Sequence, residues 1–289
     1  MHPRADHDLT FADGTTMGLG LRTRVMGVLN VTPDSFSDGN LYPDLPAALE
    51  RAARMVDGGA DIIDIGGEST RPGAEPVDEI EEINRVVPVV EGIKKTLDIR
   101  VSVDTRKAAV ARRAIDAGAD MINDISTLRD HAMLPLLRET RTPVVLMHMR
   151  GEPRTMQRKT RYEDIVADVV GFLRDCSDTA AAAGLADDKI LIDPGIGFGK
   201  SAAGNMTLLN ELPALAQVGR PIMIGASRKS FIGAVLDLPV EERLEGSLAV
   251  AAFSAAQGAH MVRAHDVRAT LRVVRMIDAI RSTLRPDRP

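Results

Sequence analysis

The stretch RVSVDTRKAAVARRAIDAGADMIND, residues 100–124, decides the fold. It opens on a short apolar, β-branched run and turns through polar residues. From about Lys107 it takes up helical period in Ala and Arg, and it stops at Ala117-Gly118-Ala119 before a second apolar run. A strand, a helix, a glycine stop and another strand make one βα unit. The helix returns the chain so that the second strand lies parallel to the first.

The same unit recurs in both directions from this stretch. Apolar runs suited to strands occupy residues 25–31, 61–65, 100–103, 121–124, 143–147, 189–193, 221–224 and 260–264. Helical segments begin near Pro46, Asp78, Lys107, His131, Tyr162, Gly204, Lys229 and Val267, and Gly58-Gly59-Ala60 and Gln257-Gly258-Ala259 repeat the stop signal. Strands buried on both faces read as continuous apolar runs, and eight such units close a parallel barrel. The fold class is therefore α/β, an eight-stranded (β/α)8 TIM barrel forming a single domain over residues 1–289, with its core in residues 25–280. Residues 9–21 alternate around Asp13-Gly14 instead, which predicts an N-terminal β-hairpin able to cover the bottom of the barrel.

Composition narrows the function. With 44% apolar and 27% charged residues the chain is globular, and a net charge of -5 lacks the basic field that nucleic-acid binding needs. Cys176 is the one cysteine and falls in a predicted helix, so no disulfide framework is expected and a reducing, cytoplasmic compartment is. Residues 1–24 carry Arg4, Asp6, Asp8 and Asp13 with no apolar run, and no later stretch is long and apolar enough to span a bilayer. Neither a signal peptide nor a membrane anchor is expected.

In this architecture the ligand site lies on the loops after the strands. The first strand runs into Asn30-Val31-Thr32-Pro33-Asp34-Ser35-Phe36-Ser37-Asp38-Gly39 and the second into Gly66-Gly67-Glu68-Ser69-Thr70-Arg71-Pro72-Gly73. Asp104, Asn123 and Asp193 end three further strands, so three polar side chains converge on one mouth, where a dry carboxylate requires donors. The run Gly195-Ile196-Gly197-Phe198-Gly199-Lys200-Ser201 fits neither glycine-rich nucleotide motif, because Pro194 and Lys200 stand where glycines are required. Its glycines suit close approach of backbone to a flat ligand. Ser227-Arg228-Lys229-Ser230 opens a helix, and Arg263 and His265 share one side of the last strand. With Arg71 they form a basic patch suited to a pyrophosphate. Lys229 is also open to a Schiff-base reading, as in aldolases, and to an ion pair with Asp193. His148 reads equally as a ligand or as a satisfied strand-end residue.

Taken together, these loops and strand ends resemble the dihydropteroate synthase family over about residues 25–280. Met149-Arg150-Gly151-Glu152-Pro153-Arg154-Thr155-Met156-Gln157 is similar to its loop after strand five. The resemblance implies a transferase that condenses 6-hydroxymethyl-7,8-dihydropterin pyrophosphate with p-aminobenzoate to give 7,8-dihydropteroate, the pyrophosphate leaving before the amine attacks. It implies a pterin pocket of Asp104, Asn123, Asp193 and Lys229 walled by Ile125, Met147 and Phe198. Asn30 would meet the Mg2+ that accompanies the pyrophosphate, and Thr70, Arg71, Arg263 and His265 would hold the phosphates. Asn30, Lys229, Arg263 and His265 are thereby the expected catalytic group. Thr32, Pro33, Phe36, Arg71, Pro72 and Ser230 would receive p-aminobenzoate, where sulfonamides compete. A pterin-binding methyltransferase is the nearest alternative, since it keeps the pterin residues without needing the basic patch. The family also implies a homodimer through the last helices. Leu271, Val274, Met276, Ile277 and Ile280 offer apolar surface there, though packing on the barrel accounts for the pattern equally well.

Overall fold

A hairpin comes first: β1 (His7–Thr10) pairs antiparallel with β2 (Thr16–Leu19). The computed structural model describes residues 1–32, 44–71 and 73–283. Beyond the hairpin, β3 (Arg24–Asn30), β4 (Ile62–Gly66), β5 (Arg100–Asp104), β6 (Met121–Asp124), β7 (Val144–Met147), β8 (Ile190–Asp193), β9 (Met223–Ile224) and β10 (Met261–Ala264) form one parallel sheet. Its order is β8-β7-β6-β5-β4-β3-β10-β9, and a parallel bridge between Ile192 and Ile222 joins the two ends into a barrel.

The helices lie between the strands: α1 (Leu45–Asp57), α2 (Glu79–Thr96), α3 (Ala108–Asp116), α4 (Met133–Thr140), α5 (Ile165–Ala182), α6 (Ala202–Asn210), α7 (Ser230–Leu236), α8 (Leu244–Ala256) and α9 (Val267–Ser282). Side-chain caps fix several starts. Asp44, Asp78, Asp164 and Ser201 each accept from a backbone N–H in the first turn of the helix that follows. In the unit read first, α3 ends with Gly118 at φ 106, a conformation open to glycine, and the chain turns directly into β6. A single helix was expected from Lys229 to the stop at Gly258. The structure divides it, because Asp237 ends α7 in a left-handed turn and Pro239 follows before α8 starts.

The hairpin closes the bottom of the barrel, as its alternation predicted. Leu9, Phe11 and Leu19 pack with inward residues of seven strands, among them Met26, Ile62, Met121 and Leu191. Lys189 Nζ donates to the carbonyls of Thr10 (2.6 Å) and Phe11 (3.2 Å), and the Arg100 guanidinium stacks on the Phe11 ring at 4.4 Å. With this end filled, the barrel interior opens at the opposite mouth, where the loops after the strands gather.

Outside the barrel, Leu271 and Val274 of α9 are buried in the main core and Ile277 packs against it. Those three serve the barrel, whereas Met276 and Ile280 are exposed. Among the described residues no helix is long and apolar enough to cross a membrane.

Candidate active site

Strand register assembles the site. Asn30, Gly66, Asp104 and Asn123 are successive partners across β3, β4, β5 and β6, so they form a row at the C-terminal rim of the barrel. One layer deeper, Asp64 pairs with Ser102 in the same register. Gly66 leaves room within the row, since a Cβ there would stand 3.5 Å from Asn30 Oδ1 and 3.8 Å from Asp104 Cβ.

Arg263, reaching in from β10, organises these groups. Its Nε donates to Asp64 Oδ2 at 2.6 Å and its Nη2 to Asp104 Oδ2 at 2.9 Å. Asn123 Nδ2 donates to the same Asp64 oxygen at 3.0 Å. Asp64 is fully buried and sits among Ile62, Ile63 and Ile65. The sequence reading took it as part of a strand, although a carboxylate inside so apolar a run signals a buried partner. Two carboxylates share one guanidinium, which leaves the trio with an excess negative charge. Burial pushes Asp104 up to about 7, with Arg263 opposing and Asp64 adding to the shift.

Three acceptors around this cluster are buried without a hydrogen-bond partner: Asp64 Oδ1, Asp104 Oδ1 and Asn123 Oδ1. Such atoms are costly unless satisfied, and together they are acceptors for a partner with several N–H donors. Beside them Ile125, Met147 and Phe198 form one apolar cluster, as expected, joined by Met149 and Met156 of the next loop. An apolar wall facing convergent acceptors suits a flat, donor-rich heterocycle.

Asp193 and Lys229 stand on the neighbouring strand ends but do not form the ion pair that the sequence left open to them. Asp193 Oδ1 accepts from the Gly195 N–H at 2.7 Å, while Lys229 Nζ donates to the Ile196 carbonyl and lies 4.3 Å from the centre of the Phe198 ring. The stretch 195–199 supplies backbone groups closer to each side chain than the two charges are to one another. Burial raises Asp193 above the ordinary carboxylate range and lowers Lys229 to about 8, each moderated by the charge of the other.

On the basic side, His265 Nδ1 lies 3.0 Å from Ser227 Oγ. Burial, with Arg263, Arg228 and Arg51 nearby, holds the imidazole down at about 3, so it is neutral at physiological pH. Arg228 binds Asp266 through two hydrogen bonds of 2.8 and 3.0 Å and ties the loops after β9 and β10 together. Thr32 and Thr70 are half-buried, and Arg71 and Ser230 are exposed. Pro33, Phe36 and Pro72 lie outside the described residues, as does most of the loop that carries the first two.

His148 resolves as a structural residue. Its Nδ1 lies 2.9 Å from Lys200 Nζ and its ring packs edge-on against Phe172 at 4.9 Å. Among the described residues no group of three or more His, Cys, Asp or Glu is gathered to hold a metal. Asn30 Oδ1 at the rim is the protein oxygen to which an ion carried in by a ligand's own oxygens could add. Cys176 lies half-buried in α5, where burial raises its thiol to about 11, far from a reactive thiolate.

This geometry has close counterparts. Residues 26–265 match the model of the pterin binding enzyme family. The dihydropteroate synthase of Synechocystis sp. is 47% identical over 268 residues, which span 92% of this chain and 93% of that one. A Yersinia pestis dihydropteroate synthase solved with a sulfonamide drug superposes with a TM-score of 0.89 at 47% identity, covering 95% of this chain and 99% of that one. The Xanthomonas albilineans dihydropteroate synthase bound to 4-aminobenzoic acid gives the same TM-score at 43% identity, over 96% and 99% of the two chains. The barrel, the rim of acceptors and these relatives together assign the chain to the pterin binding enzyme family, as a transferase of its dihydropteroate synthase branch.

Proposed function

We propose that this enzyme condenses 6-hydroxymethyl-7,8-dihydropterin pyrophosphate with p-aminobenzoate, giving 7,8-dihydropteroate and pyrophosphate. The observation that carries the reading is the set of three unpartnered acceptors, on Asp64, Asp104 and Asn123, buried beside an apolar wall. A pterin presents ring N–H and amino donors along one edge, and its flat face suits the Ile125, Met147 and Phe198 cluster. Asp193 accepts from the same edge, each charge-assisted bond contributing about 1.5–3 kcal/mol. Lys229 exchanges the Ile196 carbonyl for acceptor atoms of the ring.

The phosphates lie toward β10 and the loop after β4. Arg263 has spent its Nε and one Nη2 proton on Asp64 and Asp104, which leaves Nη1 for a phosphate oxygen. His265, neutral and oriented by Ser227, donates through Nε2, and Thr70 and Arg71 close the outer side. Asn30 would hold Mg2+ through Oδ1, and the ion would supply charge neutralisation for the leaving group.

The carbon–oxygen bond to the pyrophosphate breaks first, and its electron pair leaves with the phosphate. The excess negative charge of the Asp64, Asp104 and Arg263 trio stabilises the cationic methylene left on the pterin. The aniline nitrogen of p-aminobenzoate then attacks that carbon and loses a proton to water. Thr32, Pro33, Phe36, Arg71, Pro72 and Ser230 receive p-aminobenzoate, with its carboxylate toward Ser230. The 4-aminobenzoic acid and sulfonamide complexes of the relatives support p-aminobenzoate as a substrate and sulfonamides as ligands. Met276 and Ile280 on α9 and Phe253 on α8, all exposed, support pairing of two copies through these helices.

Calorimetric titration with the pterin pyrophosphate and Mg2+, followed by a sulfonamide, tests the reading. Tight pterin binding that then permits sulfonamide binding is expected. Pterin binding with methyl transfer to a corrinoid protein, and no response to p-aminobenzoate, would refute it.

A further inference from the structure

The loop 195–199 leaves β8 in a backbone conformation that belongs to neither helix nor strand, yet every one of its carbonyls accepts a hydrogen bond from a side chain. Lys200 Nζ donates to the carbonyls of Gly195 (2.9 Å) and Phe198 (3.0 Å), Lys229 Nζ to Ile196, Gln157 Nε2 to Gly197 (3.0 Å), and Tyr162 Oη to Gly199 (3.0 Å). Lys200 bridges the two ends of the loop, alongside the Phe198 N–H, which donates to the Gly195 carbonyl at 3.1 Å. It also reaches across to β7, where it meets His148 Nδ1 at 2.9 Å and the His148 carbonyl at 3.2 Å.

Lys200 is only 2% exposed, a costly place for an ammonium. An apolar residue of similar volume would avoid that cost, but it would take the Lys200 donor from the carbonyls of Phe198 and His148 and leave Gly195 with the Phe198 N–H alone. The two loop carbonyls Lys200 holds belong to functionally connected residues. Gly195 donates its N–H to Asp193 Oδ1 at 2.7 Å, and Phe198 supplies the aromatic wall. Gly195 lies against the β7 end so closely that a Cβ there would come within 1.9 Å of the His148 carbonyl.

We propose that Lys200 is a positioning residue for pterin recognition, orienting the Asp193 carboxylate through Gly195 and the Phe198 ring through its own carbonyl. This inference rests on the pterin reading above. When Lys229 turns to the ring and releases Ile196, Lys200 keeps the loop in its binding geometry.

The test titrates 6-hydroxymethylpterin into wild-type protein and Lys200→Met, and measures KM for the pterin pyrophosphate and for p-aminobenzoate. The chain has two tyrosines, Tyr42 and Tyr162, so 3-fluorotyrosine labelling reports on the Tyr162 contact with the loop. Lys200→Met is expected to lose pterin affinity by roughly 10- to 100-fold, the worth of one charge-assisted hydrogen bond. The p-aminobenzoate KM stays within about twofold, and the Tyr162 fluorine signal shifts. Unchanged pterin affinity, or an equal rise in both KM values, would overturn the proposal. Should Lys200→Met fail to fold, Gln157→Ala and Tyr162→Phe carry the test, with about three- to tenfold losses confined to the pterin, as expected for a neutral hydrogen bond. Wild-type affinity in both variants would overturn it. Wild-type protein that binds no pterin would remove the functional reading and this proposal together, whereas binding unaffected by any of the three substitutions removes this proposal alone.

Discussion

Replacing Asp64 by Asn removes one charge from the centre of the site at almost constant shape. Asp64 Oδ2 accepts from Arg263 Nε at 2.6 Å and from Asn123 Nδ2 at 3.0 Å, and the residue is fully buried. A charge-assisted hydrogen bond contributes about 1.5–3 kcal/mol and a neutral one about 0.5–1.5, so Asp64→Asn weakens the hold on Arg263 by about 1–2 kcal/mol. If that hold sets the geometry offered to the pterin pyrophosphate, affinity falls about 5- to 30-fold. A second effect has its own sign. Asp64 is one of the charges that raise Asp104, so its loss lowers the Asp104 pKa and carries the acid limb of kcat/KM for the pterin to lower pH. Calorimetric titration at pH 8, together with pyrophosphate release followed from pH 5 to 9, measures both. Wild-type affinity with an unmoved acid limb would refute the assignment of Asp64 as the anchor of Arg263 and Asn123.

Other outcomes follow from the same geometry. In the wild type, kcat/KM for the pterin should fall below about pH 7 as Asp104 takes up a proton, and above about pH 8 as Lys229 loses one; a flat profile over that range would contradict both roles. Gly195→Ala places a Cβ against the His148 carbonyl and should cost roughly 10- to 100-fold in pterin affinity, read by calorimetry. Phe11→Ala should lower stability in urea unfolding by about 3–5 kcal/mol while both KM values stay within about twofold, because the hairpin fills the end of the barrel opposite the site.

Local pattern carried the barrel. Strands, stops and the polar residues ending each strand are set by neighbours a few positions away, so Asn30, Asp104, Asn123, Asp193 and Lys229 could be located as rim residues from their runs alone. Barrel closure then brought them to one rim, and Ile125, Met147 and Phe198, which only the resemblance named, share one apolar cluster. Partnerships set by distant contacts were not legible. Arg263 meets Asp64 across 199 positions of sequence, and only the register of β3, β4 and β10 makes that contact. Lys200 stands out in the sequence only where it breaks a glycine motif, since its role depends on where the carbonyls of its own loop turn. The division between α7 and α8 is legible in Leu238-Pro239, although the helical period of the flanking residues masks it.

The most direct test mixes the purified protein with 6-hydroxymethyl-7,8-dihydropterin pyrophosphate, Mg2+ and p-aminobenzoate, and follows pyrophosphate and dihydropteroate together, beside Asn30→Ala and Lys229→Ala. Equal amounts of both products from the wild type, and loss of both in the two variants, is the predicted result. Tight pterin binding with no dihydropteroate would contradict the account.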